Sequence, residues 1–193
     1  MYKIDQSTQV QEVALKSTIP VGINDNCELV SVGRYTASNG SDYLGFLFKD
    51  ANGSELKHME WDVDPARVTP KPGESVDECV TRRINQMLVR IKHIATKFIP
   101  DNQFVVQGNN FGELVDSIVR LLAPNTFTGK KLRLKVVYSY NDYCSLPNFA
   151  PFVEDMAKDP SGLKINPKYD KMEKSTAAVE SQVNSTDEAD LPF

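Results

Sequence analysis

The chain has little of what an enzyme or a secreted protein needs. Its three cysteines, Cys27, Cys79 and Cys144, are odd in number and far apart. They form no CxxC pair and have no histidine at metal-ligand spacing. That argues against a zinc site or a disulfide framework and for the reduced thiols of a cytosolic protein. There are two histidines, His58 and His93, and neither has a serine or cysteine nearby in a nucleophile motif. No glycine-rich, phosphate-cradling loop is present. Residues 1–20 mix Lys, Asp, Gln and Glu with short apolar stretches, so no secretory leader is expected there. No run approaches the roughly 18 apolar residues of a membrane span. These absences point to a cytoplasmic protein that is not an enzyme, with no cofactor, no metal and no membrane partner.

The body also lacks net charge. The formal charge is -4, from 22 basic and 26 acidic residues. Four of the acids, Glu180, Asp187, Glu188 and Asp190, lie in residues 175–193, which hold no base. Residues 1–174 therefore balance, with 22 acids and 22 bases. A neutral body still binds phosphates where its cations are gathered on one face.

What is present is a hydrophobic content of 40 %, enough for a core, in a length that suits one domain with a tail. Residues 27–35 (CELVSVGRY), 42–49 (DYLGFLFK) and 55–63 (ELKHMEWDV) read as strands. They are joined by two turns, each containing Asn-Gly, a pair that takes positive φ readily. Three antiparallel strands in a meander follow. The proline-rich stretch 64–73 ends the sheet. Residues 74–99 then change to helical period, with Val76, Val80, Ile84, Met87, Leu88, Ile91, Ala95 and Phe98 recurring, until Pro100. A second amphipathic helix is expected over 111–123, capped by Asn109 or Asn110 and ended by Pro124.

Period two returns in 131–140 (KLRLKVVYSY), and residues 143–153 lead back as one irregular edge strand, since prolines forbid a central place. The order β-β-β-α-α-β-β is that of an OB-fold, a five-stranded Greek-key barrel, here with two helices between strands three and four. Residues 1–153 would form this barrel and 154–174 an extension across it. Residues 175–193 lack periodicity and apolar content, so a disordered acidic tail is expected.

Within that frame, Lys131, Arg133 and Lys135 alternate on one strand face, roughly 7 Å apart. Lys130 adds a fourth cation. The spacing suits successive phosphates of a single strand, although any half-exposed strand alternates charges. Tyr43 has the opposite parity to Leu44, Phe46 and Phe48, so it points outward if those are core. Tyr35 lies at the lip of the first turn. Tyr138, Tyr140 and Tyr143 flank the last. Trp61 points outward with Lys57 and Met59 if Leu56 points inward; one bulge reverses this. Exposed rings of this kind stack bases. Arg34, Lys49 and Lys57 complete the expected phosphate contacts. On the long helix Arg83, Arg90 and Lys97 share a seven-residue spacing and hence one stripe, which an ordinary solvated helix face also explains.

Two further features bear on function. Asp62 and Asp64 form an Asp-x-Asp pair near a strand end, a common pattern that leaves a metal-dependent accessory enzyme open as a rival. The chain closes on Asp190-Leu191-Pro192-Phe193 behind the acidic stretch. Phe193 sets a ring beside the terminal carboxylate, chemistry that a basic pocket with an apolar cleft on a partner would receive.

These last four residues resemble the acidic tip of bacterial single-stranded DNA-binding proteins. Residues 22–29 (GINDNCEL), 46–53 (FLFKDANG) and Glu60-Trp61 resemble the N-terminal pattern of bacteriophage-encoded members. The resemblance implies a barrel that coats single-stranded DNA without marked sequence preference in replication, recombination or repair. It also implies partner docking by Asp190, Leu191, Pro192 and Phe193, and the cytoplasm of a bacterial host if the protein is phage-encoded. The linker lacks the usual Gly, Gln and Pro richness. A protein-interaction adaptor built on the same barrel is the other rival reading.

Overall fold

The computed structural model describes residues 17–175. Of the expected acidic tail only Ser175 is described; residues 176–193, including Asp190, Leu191, Pro192 and Phe193, lie outside the described residues.

The three-strand meander forms as the alternation dictates. It comprises β1 (Gly22–Thr36), β2 (Asp42–Lys49) and β3 (Glu55–Trp61). Gly40 and Gly53 take φ of 82° and 86° in its turns, a region that favours glycine. The Asp50 carboxylate accepts from the Asn52 and Ser54 amides at 2.9 and 2.8 Å, which fixes the second turn. Leu44, Phe46 and Phe48 are wholly buried, and Leu56 joins them.

β1 begins five residues earlier than its alternation suggests. Its register shifts twice, between Asn24 and Cys27 and between Leu29 and Ser31. Such irregularities bend a strand. The second half of β1 therefore pairs with β2, while the first half pairs with β4 (Leu132–Tyr138). Residues 22–26 fall outside the expected strand because their partner lies more than a hundred residues away.

The segment between β3 and β4 holds three helices rather than the two expected. α1 (Val76–Ala95) opens on a capping box, Ser75 with Glu78. α2 (Phe111–Leu121) is capped by Asn110. The short α3 (Pro124–Phe127) starts at the proline expected only to stop α2. α1 buries Met87, Ile91, Ile94 and Ala95 against the sheet; in its first turns only Cys79 is buried.

The return strand is also two pieces. β5 (Cys144–Ser145) and β6 (Val153–Asp155) both pair with β4, at Val137–Tyr138 and Leu132–Leu134 respectively. Pro147 and Pro151 lie in the detour between them, and a proline cannot donate to the ladder. The sheet order is β3-β2-β1-β4-β5, with β6 also on β4. Among the described residues the result is mainly β: six antiparallel strands curled into a nearly closed, barrel-like sheet, with β5 approaching β3.

Residues 154–171 then cross the outside of β4. Tyr138 donates its amide to Lys171 O at 2.8 Å, Met156 donates to Lys131 O at 3.1 Å, and Leu163 is buried. Among the described residues no helix is long and apolar enough to cross a membrane.

Candidate nucleic-acid interface

With Leu56 inside, Lys57, Met59 and Trp61 are outside, and no bulge reverses their parity. The pairing of the three strands then sets Tyr35 beside Tyr43 and Tyr43 beside Trp61. The rings form a continuous row. The Tyr35 and Tyr43 centroids are 5.5 Å apart at 23°, and those of Tyr43 and Trp61 are 4.6 Å apart at 39°. Tyr35 and Trp61 remain 37 % and 39 % exposed, whereas Tyr43 is only 8 % exposed. Tyr43 thus has the outward parity expected of it, yet it is covered by its neighbours and positions them.

Lys57 completes the row. Its ammonium donates to the Tyr43 hydroxyl at 2.6 Å and stands 4.4 and 4.8 Å from the Tyr35 and Tyr43 ring centroids. Among the described residues it has no acid partner. A cation held on aromatic faces remains available to an incoming anion. Lys49 shares the outward parity of β2, with Glu55 at 3.8 Å.

Two glycines make the row possible. A β-carbon on Gly45 would fall 2.8 Å from the Tyr35 ring, and one on Gly33 would fall 3.0 Å from it. The ring therefore lies over bare backbone. Sequence reasoning missed both residues, though a signal existed. Gly33 and Tyr35, like Tyr43 and Gly45, are two apart and hence on one face of a strand.

The cations of β4 are placed differently. Lys131, Arg133 and Lys135 keep the shared outward parity, but their face is not free. Lys131 pairs with Glu28, Arg133 with Asp25 at 2.7 Å and Glu154 at 2.9 Å, and Lys135 with Asp170 at 2.8 Å. Lys135 also donates to Lys164 O at 3.1 Å and is buried. The expected row of solvated phosphate contacts is corrected here: residues 154–171 cover Arg133 and Lys135 and supply Glu154 and Asp170, while β1 supplies Asp25 and Glu28. Burial opposes the charge of Glu154, but Lys158, Ser161, the Gly162 amide and Arg133 hold its carboxyl down at about 2.

The remaining expected contacts disperse. Arg34 turns to the barrel end, where it bonds Asp42 through Nε at 3.0 Å and pairs with Asp116 of α2 at 3.3 Å. Lys130 donates to Lys97 O at 3.3 Å, 6.0 Å from the Phe98 centroid. Tyr138 packs near Lys174. Tyr140 and Tyr143 are well exposed on the turn between β4 and β5, and no ring contact among the described residues joins them to the Tyr35–Trp61 row.

Asp62 and Asp64 serve local structure. Asp62 accepts from the Val63 amide at 2.8 Å; Asp64 accepts from the Ala66 amide at 2.9 Å and pairs with Arg67. Among the described residues no three His, Cys, Asp or Glu side chains gather as a metal site.

Beneath the row, β3 is fastened to α1. Glu60, buried, receives Arg90 Nε and Nη2 at 2.6 Å each and lies 2.9 Å from His58 Nε2. Burial would raise its pKa, but the bonds from Arg90 and His58 hold it below the usual carboxylate range. Bidentate pairing of this kind fixes geometry as well as charge. His93 accepts from the Phe152 and Val153 amides at 3.1 and 3.2 Å; burial, aided by Lys97, lowers its pKa to about 4. No family model matches the chain, and no curated protein matches it in sequence.

Proposed function

We propose that this chain is a single-stranded DNA-binding protein that coats single strands without marked sequence preference in replication, recombination or repair, and that it is not an enzyme. The observation that carries the reading is the Tyr35–Tyr43–Trp61 row with Lys57 seated on it. Stacking on such rings is worth about 1–3 kcal/mol per base and tolerates every base, because every base has a π-face. A neighbouring cation without an acid partner supplies the phosphate contact.

The sheet supports an OB-fold assignment. A long, bent β1 shared between β2 and β4, with β5 near β3, is the path that Greek-key barrel follows. The outer surface of β2 and β3 is where such barrels hold oligonucleotides. On this reading the interface is Tyr35, Tyr43, Trp61, Lys57 and Lys49. The tip Asp190-Leu191-Pro192-Phe193 recruits replication, recombination or repair proteins, and the protein works in the cytoplasm.

Trp61 is the chain's one tryptophan, so its emission reports on the interface directly. Titration with oligothymidylate is expected to quench it saturably, with affinity falling as salt rises. Duplex DNA should bind more weakly, and an RNA strand of equal length tests the preference between nucleic acids. Unchanged emission together with no gel shift would sink the proposal.

A further inference from the structure

A cleft of about 1290 Å³ opens at the end of the sheet, and Trp61 and Met59 line it. Both also belong to the outward face of β3, so the aromatic row and the cleft share a border. The wall opposite is α1, whose Arg83, Gln86, Met87 and Arg90 fall at i, i+3, i+4 and i+7 and present one helix face. Phe149, between β5 and β6, contributes a ring that is 59 % exposed.

The charges of this cleft are unequal in kind. Arg34, Arg67, Arg82 and Arg90 line it, and each is held by an acid: Asp42, Asp64, Glu74 and Glu60. Arg83 is exposed and has no acid partner among the described residues. Of the acids that line the cleft, Asp42, Glu60 and Asp64 are neutralised by those arginines, and Asp62 accepts from the Val63 amide. One uncommitted guanidinium in a cleft that also holds Trp61 and Phe149 suits a phosphodiester flanked by bases, with Asp62 the one lining carboxylate that opposes it. The cleft also exceeds the roughly 300–1,000 Å³ of a small-molecule pocket and is open, as a site for a polymer segment must be.

We propose that this cleft receives the continuation of the bound single strand past Trp61, with Arg83 on a phosphodiester and Phe149 stacking a base. The inference rests on the reading of the Tyr35–Trp61 row as the platform for single-stranded DNA. It adds a second segment to the binding path and gives the helical insert a part in it.

The test compares oligothymidylates of about 4 and about 8 nucleotides, the lower end of the site sizes such barrels use. Affinities are measured by anisotropy over a salt series on the full chain. The wild type is expected to gain affinity with length. Arg83→Ala should remove most of that gain, about tenfold on the longer strand with little change on the shorter, and reduce the salt slope by about 0.7. Phe149→Ala should weaken the longer strand about fivefold or more. Lys164→Ala, which removes an exposed cation on the strap that residues 154–171 form over β4, is the control and should change neither.

If Arg83→Ala and Phe149→Ala match the wild type at both lengths while Trp61→Ala weakens both, the cleft inference falls and the platform stands. Equal losses from Lys164→Ala and Arg83→Ala would overturn it in favour of diffuse charge. If the wild type binds neither strand, or Trp61→Ala binds as the wild type does, the platform reading falls first and the inference with it.

Discussion

The outer surface of β1, β2 and β3 and the outer surface of β4 start from the same kind of sequence. Both strand sets alternate, with apolar residues inward and polar or aromatic residues outward. They end in opposite states. The first surface keeps Tyr35, Trp61, Met59 and Lys57 at solvent. The second is crossed by residues 154–171, and its two lysines and one arginine are matched by Asp25, Glu28, Glu154 and Asp170. Alternation fixes which side of a strand a residue takes. Whether that side stays bare is decided by distant segments; here Asp170 lies 35 residues beyond Lys135.

The sharpest way to break this contrast is to unpair the covered surface. Lys135→Met leaves Asp170 buried without its partner, and removing one member of a buried pair costs about 3–5 kcal/mol. Urea denaturation should show a loss of that order, while the proposed binding of single-stranded DNA should be unchanged in the folded variant. A loss well under 1 kcal/mol would mean that the strap is not held as described. The bare surface should behave in reverse. Trp61→Ala and Tyr35→Ala are each expected to weaken oligothymidylate binding by about 1–3 kcal/mol, with a smaller effect on stability. Large destabilisation with intact binding would return both rings to the fold alone.

Acid should loosen the covered side before the bare one. His93 holds the Phe152 and Val153 amides at the entry to β6 and the strap. Its pKa falls from 6.5 to about 4 in the folded protein. The unfolded chain therefore takes up the proton first. Stability falls as pH drops through 6.5 and the loss is complete near 4. Glu60 and Glu154 have lowered values, so their contribution is lost only below 4.5. The window between 6.5 and 4.5 accordingly belongs to His93 among these groups. Urea midpoints at pH 7, 5.5 and 4.5 should decline, and His93→Gln should flatten that decline. An unaltered slope in the variant would assign the effect elsewhere.

Gly45→Ala sharpens the account of the bare surface. The new methyl would meet the Tyr35 ring at 2.8 Å, and the ring, a side chain near solvent, is what can move. Affinity should fall by about 1 kcal/mol, a fraction of the full stacking term, with stability little changed. Gly33→Ala is closer to tolerance at 3.0 Å and should do less.

Much of this was legible in the chain, and the rest fails for identifiable reasons. The meander and the outward parity of Trp61 follow from Asn-Gly turns and an unbroken period of two in Glu55–Trp61. Helical period was read from residue 74, whereas α1 starts at Val76, where the unread capping box of Ser75 and Glu78 sets it. Pro147 and Pro151 announce an irregular return, but only the edge of β4 fixes that it splits into β5 and β6. The first five residues of β1 carry no strand signal, because Asn24 and Asp25 are strand residues only through pairing with β4. The aromatic row was half visible: its rings were read as outward-facing, its supporting glycines were not read, and the β4 cations drew attention for a pattern that every half-exposed strand shows.

The smallest expected effect separates the two surfaces most cleanly. Lys131 is exposed and paired with Glu28. An exposed pair contributes about 0–1 kcal/mol, so Lys131→Ala should hardly move stability. If β4 met the phosphates, its loss would lower the salt dependence of binding by about 0.7 per contact removed. If the strap and Glu28 already occupy that charge, the slope should stay where it was. Lys57→Ala must then carry the deficit, because Lys57 sits on the Tyr35 and Tyr43 rings with no acid among the described residues to hold it. Measured side by side over one salt series, a flattened slope in Lys57→Ala and an unchanged one in Lys131→Ala puts the strand on β1–β3. The opposite pattern would put it on β4, with the strap displaced on binding, and the uncovered aromatics would then need another partner.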